Sequence, residues 1–174
     1  QLTLLARESK NLDEQRFNTM AMKSLDNLRA ESRGLAPAEL EEFGLTLGLT
    51  DMINEVDEQT DIFFTVDIDP IDSVLDKTTA LHIYRITQEL LTNIVKHSKA
   101  KKVKINLKSN SKRIKLTVKD DGLGFNAHDL KLFSKSLGMR SIKERCNIIN
   151  AKILVNSAKG KGTETVIAFP IPVN

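Results

Sequence analysis

Glu89, Asn93, Lys96 and His97 stand at spacings of i, i+4, i+7 and i+8. On a helix those spacings share one face. The face would carry a carboxylate, an amide and two potential cations. Packing alone favours an apolar stripe, whereas this mixture could hold Mg2+ through oxygen atoms and neutralise phosphate oxygens. A solvated helix face would show the same spacing.

A second set follows a strand-like stretch: Asp120-Asp121-Gly122-Leu123-Gly124-Phe125. A carboxylate at a strand end can accept a hydrogen bond from an exocyclic amine. The glycines on either side of Leu123 would let the backbone approach a planar ligand closely. An ordinary tight turn reads the same way. Ser136-Leu137-Gly138-Met139 precedes another helical stretch, where backbone amides could cradle a phosphate. Gly160-Lys161-Gly162-Thr163 joins two strand-like stretches and adds the Thr163 hydroxyl, although a hairpin loop also explains its glycines.

These groups need elements to position them. Residues 1–10 read as the tail of a helix. Asp13–Arg33 reads as another, with a weak apolar stripe from Phe17, Met20, Leu25 and Leu28. Such a stripe needs a partner, so residues 1–36 are expected to be the end of a helical dimerisation segment. Gly34 and Pro37 end it, and residues 37–174 form the main domain. Pro37 is expected at the first position of the next helix, with Leu45, Leu49, Met52, Ile53 and Val56 on one face. A strand at Asp61–Ile68 precedes a long helix from about Leu75 to Ser98. Strands at Val103–Leu107 and Ile114–Lys119 form a hairpin. A helix over about Met139–Asn150 and strands at Lys152–Ser157 and Glu164–Phe169 follow. This order implies an α/β sandwich with helices covering one face of a mixed, mostly antiparallel sheet.

A chain of 174 residues suits one full domain with a small appendage. Lys and Arg number 26 against 23 Asp and Glu, and a net charge of +3 is too small to argue for nucleic acid. Lysines cluster from Lys96 to Lys108, but no aromatic interleaves them to build a stacking platform. A helix C-terminus followed by a solvated strand face accounts for the later ones. The single cysteine, Cys146, excludes an internal disulfide and suits a reducing compartment. No apolar run approaches the ~20 residues of a membrane span. The chain is therefore expected to be cytoplasmic, with a membrane anchor in a longer parent left open.

The order and spacing of these motifs carry a resemblance. QELLTNIVKHSKA resembles the N box of the GHKL ATPase superfamily, and DDGLGF resembles its G1 box. SLGMRSIKERC looks like its G2 region, and GKGTETVIAFP is similar to its terminal strand pair. LAPAELEEFGLTLGL, KHSKA and GMRSIKER further resemble sensor histidine kinases of the nitrate-sensor class, which partner NarL-type response regulators. The resemblance covers about residues 23 to 174.

It implies a Bergerat ATP-binding sandwich that binds ATP and Mg2+. Asp120 would meet the adenine amine, with Gly122 and Gly124 giving room for the base. Asn93 would hold Mg2+, joined by Glu89 as a polar or base-like residue. Lys96 and His97 would face the phosphates, Gly138 and Met139 would belong to the phosphate loop, and Gly162 and Thr163 would lie near the nucleotide. Ser136 stands where the family often has glycine, and the short segment between G1 and G2 implies a small lid. The implied activity is phosphoryl transfer from ATP to a histidine, then to a response-regulator aspartate, in a homodimer joined by the N-terminal helices. No histidine precedes His82, so the acceptor is expected upstream of Gln1. His82 reads as a packed helix residue and His128 as a solvated loop residue. Other GHKL classes, such as an anti-sigma-factor serine kinase, and a degenerate partner-binding module are the alternatives.

Overall fold

The computed structural model describes residues 36–126, 129 and 136–171, the side chain of Glu39 excepted. The expected dimerisation segment, its apolar stripe, Gly34 and His128 lie outside the described residues.

The first described helix, α1, spans Ala38–Gln59. The sequence places Pro37 at its first position, but the structure puts it one residue earlier. Its ψ of 147° is extended, so Pro37 gives only its carbonyl, which accepts from Leu40 and Glu41 N at 3.1 and 3.1 Å. The helix is broken at Gly44, whose φ of 80° suits glycine. Beyond the break the exposed amides find a cap from outside the helix. Asp72 Oδ1 accepts from Leu45 N at 2.5 Å and Thr46 N at 3.3 Å, and Asp72 Oδ2 accepts from the Thr46 hydroxyl. Leu45, Leu49, Met52 and Ile53 then run into the core as the periodicity requires, with Val56 packed at its margin.

β1 (Phe63–Ile68) and a short 3-10 turn (Asp72–Val74) lead to α2, Lys77–Asn93. Asp76 starts α2 by accepting from Thr79 N at 2.8 Å and the Thr79 hydroxyl at 2.6 Å. Those bonds hold the Asp76 carboxyl below its ordinary value. The expected continuation to Ser98 exists, but as a π turn, Ile94–Ser98, closed by Lys99 in the left-handed region at φ 52°.

β2 (Lys102–Ser109) and β3 (Arg113–Asp120) form the hairpin, and Asn110 Oδ1 closes its turn by accepting from Lys112 and Arg113 N. α3 spans Leu137–Ile148, and β4 (Lys152–Ser157) and β5 (Thr163–Pro170) follow. The sheet has five strands in the order β1-β2-β3-β5-β4. β1 lies parallel to β2 and the remaining pairs are antiparallel. Alternation sends Ile105, Leu107, Leu116 and Val118 into the core under the helices. Lys102 and Lys104 of the lysine cluster point to the exposed face, as expected, and Lys115 and Lys119 on β3 share it. Lys108 there is neutralised by Asp67 and by Asp69, the latter at 2.8 Å. Among the described residues no helix is long and apolar enough to cross a membrane.

The Asp72 cap generates a prediction. Asp72→Ala should strip the acceptor from the second half of α1 and lower stability by about 1 kcal/mol, the usual worth of a cap. Urea unfolding should show the loss, and an unchanged midpoint would remove the cap from the account.

Candidate functional site

A cleft lies between the end of α2 and the end of β3. Asn93, His97 and Ser98 form one side, over Leu90 and Ile94. Val118 and Asp120 form the floor, with Thr165 and Thr163 opposite them on β5. Leu123, Gly124 and Phe125 close the near end.

Asp120 is 5% exposed. Gly122 N donates to its Oδ1 at 2.9 Å, yet burial dominates and holds its carboxyl above the ordinary 3.8. Asp121, one residue on, is exposed and otherwise employed. Its Oδ1 accepts from the backbone N–H of Lys101 at 2.8 Å and Lys102 at 2.9 Å, which lowers its pKa. Asp120 therefore lines the cleft and Asp121 does not.

The glycines act differently from the expectation. A Cβ on Gly122 would overlap the Ser98 carbonyl oxygen. One on Gly124, whose φ is 59°, would overlap the Ala158 carbonyl and lie 2.7 Å from Gly162 O. One on Gly162 would overlap Asp120 O. The missing side chains thus admit the chain's own backbone. Leu123 N donates to Ser98 O at 2.8 Å, and Gly160 N donates to Leu123 O at 2.6 Å. Phe125 N donates to Ser157 Oγ at 2.8 Å, and that hydroxyl bonds Gly162 O at 2.9 Å and stands 3.0 Å from Thr163 Oγ1. Of the expected glycines only Gly124 lines the cleft itself.

At the other end, Asn93 Nδ2 donates to Glu89 Oε1 at 3.2 Å. Gly138, in the first turn of α3, lies against the same carboxylate. Ser136 is the N-cap of α3 and accepts from Met139 N at 3.3 Å, so the non-glycine residue there has a structural task. Met139 itself is buried in the core.

Lys96 is not with the others. It lines a separate depression between α1 and α2 with Thr92, Gln88 and Glu55. Ordinary helical spacing accounts for the separation: Lys96 stands one turn past Thr92 on one flank, and His97 one turn past Asn93 on the other. His82 is packed as expected. Its Nδ1 is buried without a partner, and burial, then the Arg145 charge, depresses its pKa. The sequence reading missed Val118, Thr165, Leu90, Ile94 and Phe125. Strand alternation could have found the first two, since Val118 shares the Asp120 face and pairs with Thr165.

Among the described residues no cluster of three or more His, Cys, Asp and Glu could hold a metal by itself. The donors fit Mg2+ bound with a phosphate ligand, because that ion takes one or two protein groups and fills its shell with water and phosphate. Asn93 turns its nitrogen to Glu89, which leaves Oδ1 for a cation.

The sheet order, the one-sided helical layer and this cleft define a GHKL-type α/β sandwich. The chain belongs to the histidine kinase-, DNA gyrase B- and HSP90-like ATPase family, whose sequence pattern matches residues 78–173. Sensor histidine kinase LiaS of Bacillus subtilis (strain 168) is 36% identical across 87% of this chain and 41% of its own length. Sensor histidine kinase YdfH of the same organism is 40% identical across 56% of this chain and 24% of its own. A histidine kinase domain from the Erythrobacter litoralis EL346 blue-light activated histidine kinase superposes with a TM-score of 0.61 at 25% identity, covering 71% of this chain and 57% of that one. The chain spans less than half the length of these curated relatives.

A raised carboxylate pKa has a defined sign. The folded state holds the Asp120 proton more tightly than the unfolded state, so the buried charge costs stability above the folded pKa. That cost fades as pH falls through the folded pKa toward the unfolded value of 3.8. Asp120→Asn should therefore raise the Tm of the ligand-free protein at pH 7. The gain should shrink as pH approaches 4. Melting curves across that range check it, and a pH-independent difference would contradict it.

Proposed function

We propose that this chain is the ATP-binding catalytic part of a two-component sensor histidine kinase. One observation carries the reading. A buried acceptor-only carboxylate, Asp120, stands at one end of a cleft whose other end offers the Asn93 amide and the His97 imidazole. The first suits an adenine amino group and the second suits Mg2+ and phosphate oxygens. Asp120 would fix the base over Val118, and Thr163 would border it. Asn93, with Glu89 beside it, would hold Mg2+, which neutralises charge on the phosphates. His97 would face the phosphates, and the first-turn amides of α3 at Gly138 and Met139 would meet them. Phosphoryl transfer of this kind depends mostly on positioning and charge neutralisation.

The γ-phosphoryl group would pass to a histidine on a dimerisation helix and then to a response-regulator aspartate. The finer features rest on the sequence resemblance. They are the nitrate-sensor class with a NarL-type regulator, a homodimer through residues 1–36, and a cytoplasmic site of action. The names of the sensor-kinase relatives favour this reading over an anti-sigma-factor kinase. The joint presence of Asn93 and Asp120 in one cleft, with Glu89 hydrogen-bonded to Asn93, favours it over a degenerate module.

Isothermal titration tests it. The chain should bind ATP in a Mg2+-dependent manner and prefer it to GTP, because guanine presents a carbonyl where adenine presents its amine. Hydrogen bonds to charged groups contribute about 1.5–3 kcal/mol, so Asp120→Asn should forfeit part of a roughly 10- to 150-fold preference. Asp121→Asn should leave the preference intact. No nucleotide binding at millimolar ligand would sink the proposal.

The two depressions separate two further variants. His97→Ala should weaken Mg·ATP severalfold, and Lys96→Ala should change it less than twofold (roughly the ±0.5 kcal/mol of a neutral surface substitution). Equal losses in titration would restore Lys96 to the phosphate end of the cleft.

A further inference from the structure

Gly138 belongs to α3 and Glu89 to α2, and their contact leaves no room for a side chain. A Cβ on Gly138 would overlap Glu89 Oε1 and lie 3.0 Å from its carboxyl carbon. The next atom, at 3.5 Å, is Asn93 Nδ2. That nitrogen itself donates to Glu89 Oε1 at 3.2 Å. The carboxylate is thus held between an amide on its own helix and the bare face of a glycine on the next.

Nothing in the backbone asks for glycine at this position. Gly44, Gly124, Gly160 and Gly162 all have positive φ, but Gly138 does not. Alanine is the better helix former by about 1 kcal/mol. Nor can α3 easily step back to admit a side chain. Ser136 fixes its first turn, and Met139 and Ile142 are 1% and 0% exposed in the core below. The group that would yield is the flexible end of Glu89.

We infer that Gly138 is a positioning residue: its missing side chain seats the Glu89 carboxylate against Asn93 Nδ2, which turns the Asn93 oxygen outward for the cation. The inference rests on the Mg·ATP reading above for its functional consequence, but not for its geometry. A side chain at position 138 displaces Glu89, frees the Asn93 amide to rotate, and weakens the metal-dependent part of nucleotide binding. The competing explanation is that glycine is there to let phosphate approach the backbone directly. In that case Glu89 would be irrelevant to the effect of a substitution.

The test is a cycle of wild type, Gly138→Ala, Glu89→Ala and the double variant, all as the full chain. In the nucleotide-free protein the side-chain amide resonances of Asn93 should move in Gly138→Ala toward their positions in Glu89→Ala. The double variant should match Glu89→Ala. With Mg2+ present, each single variant should lose about tenfold in ATP affinity, the scale of a charge-assisted hydrogen bond. The double variant should lose no more than Glu89→Ala alone. Gly138→Ala should melt no lower than wild type, as helix propensity requires. An unmoved Asn93 resonance in Gly138→Ala overturns the inference. So does a loss from Gly138→Ala that persists undiminished in the Glu89→Ala background, which would assign the glycine to phosphate approach. If wild type binds no nucleotide, the functional proposal fails, and the resonances still decide the positioning claim.

Discussion

Backbone packed directly on backbone is the constraint on which the cleft depends. Three carbonyl oxygens, from Ser98, Ala158 and Asp120, occupy places where side chains of Gly122, Gly124 and Gly162 would otherwise lie. Each contact joins segments far apart in the chain. The first ties the end of α2 to the end of β3, and the others tie the β4–β5 hairpin to the loop after β3. The cleft is therefore held by main chain, which has few rotamers to lose and little freedom to sag. The hydrogen bonds from Leu123 to Ser98 and from Gly160 to Leu123 continue the same scheme. A lining built this way keeps its shape around its one charged floor residue, Asp120.

That division of labour is clearest in two adjacent carboxylates. Asp121 accepts from two backbone amides at the start of β2 and is stabilised as an anion. Asp120 is buried, receives less compensation than burial costs it, and is held toward its protonated form. Alternation along the strand separates them, since neighbouring side chains point to opposite sides. One carboxylate closes the sheet end, and the other is buried in the cleft, where the Gly122 and Thr163 amides offset only part of its burial cost. A buried group with a cost that the fold does not offset is a reasonable mark of a binding residue.

Much of the architecture was legible because its signals are periodic and local. The β2–β3 hairpin follows from alternation about a polar turn, α2 from its apolar face, and Asp120 from its place at a strand end. The unread parts depend on partners distant in sequence. Gly44 looks like an interior helix glycine until Asp72 supplies the cap for the broken end. Gly122 and Gly124 invite a ligand in sequence, and only the tertiary structure brings Ser98 and Ala158 to fill their space. Helical spacing grouped Lys96 with Asn93 and His97, but they spread over about a third of the helix circumference, and only the tertiary structure shows which flank meets the cleft. The segment before residue 36 lies outside the described residues, and the relatives carry the family as far as sensor histidine kinases but not to the nitrate-sensor class.

One helix lines two separate depressions. Along α2, Ile83, Ile86 and Leu90 reach the core while Glu89 and Asn93 stay on the flank toward α3. The same three- and four-residue spacing carries on past it: Ile94 stays buried, His97 follows Asn93 into the cleft, and Lys96 follows Thr92 over the α1–α2 depression. The cleft side of this helix thus presents an amide and an imidazole, and the lysine is left on the other side.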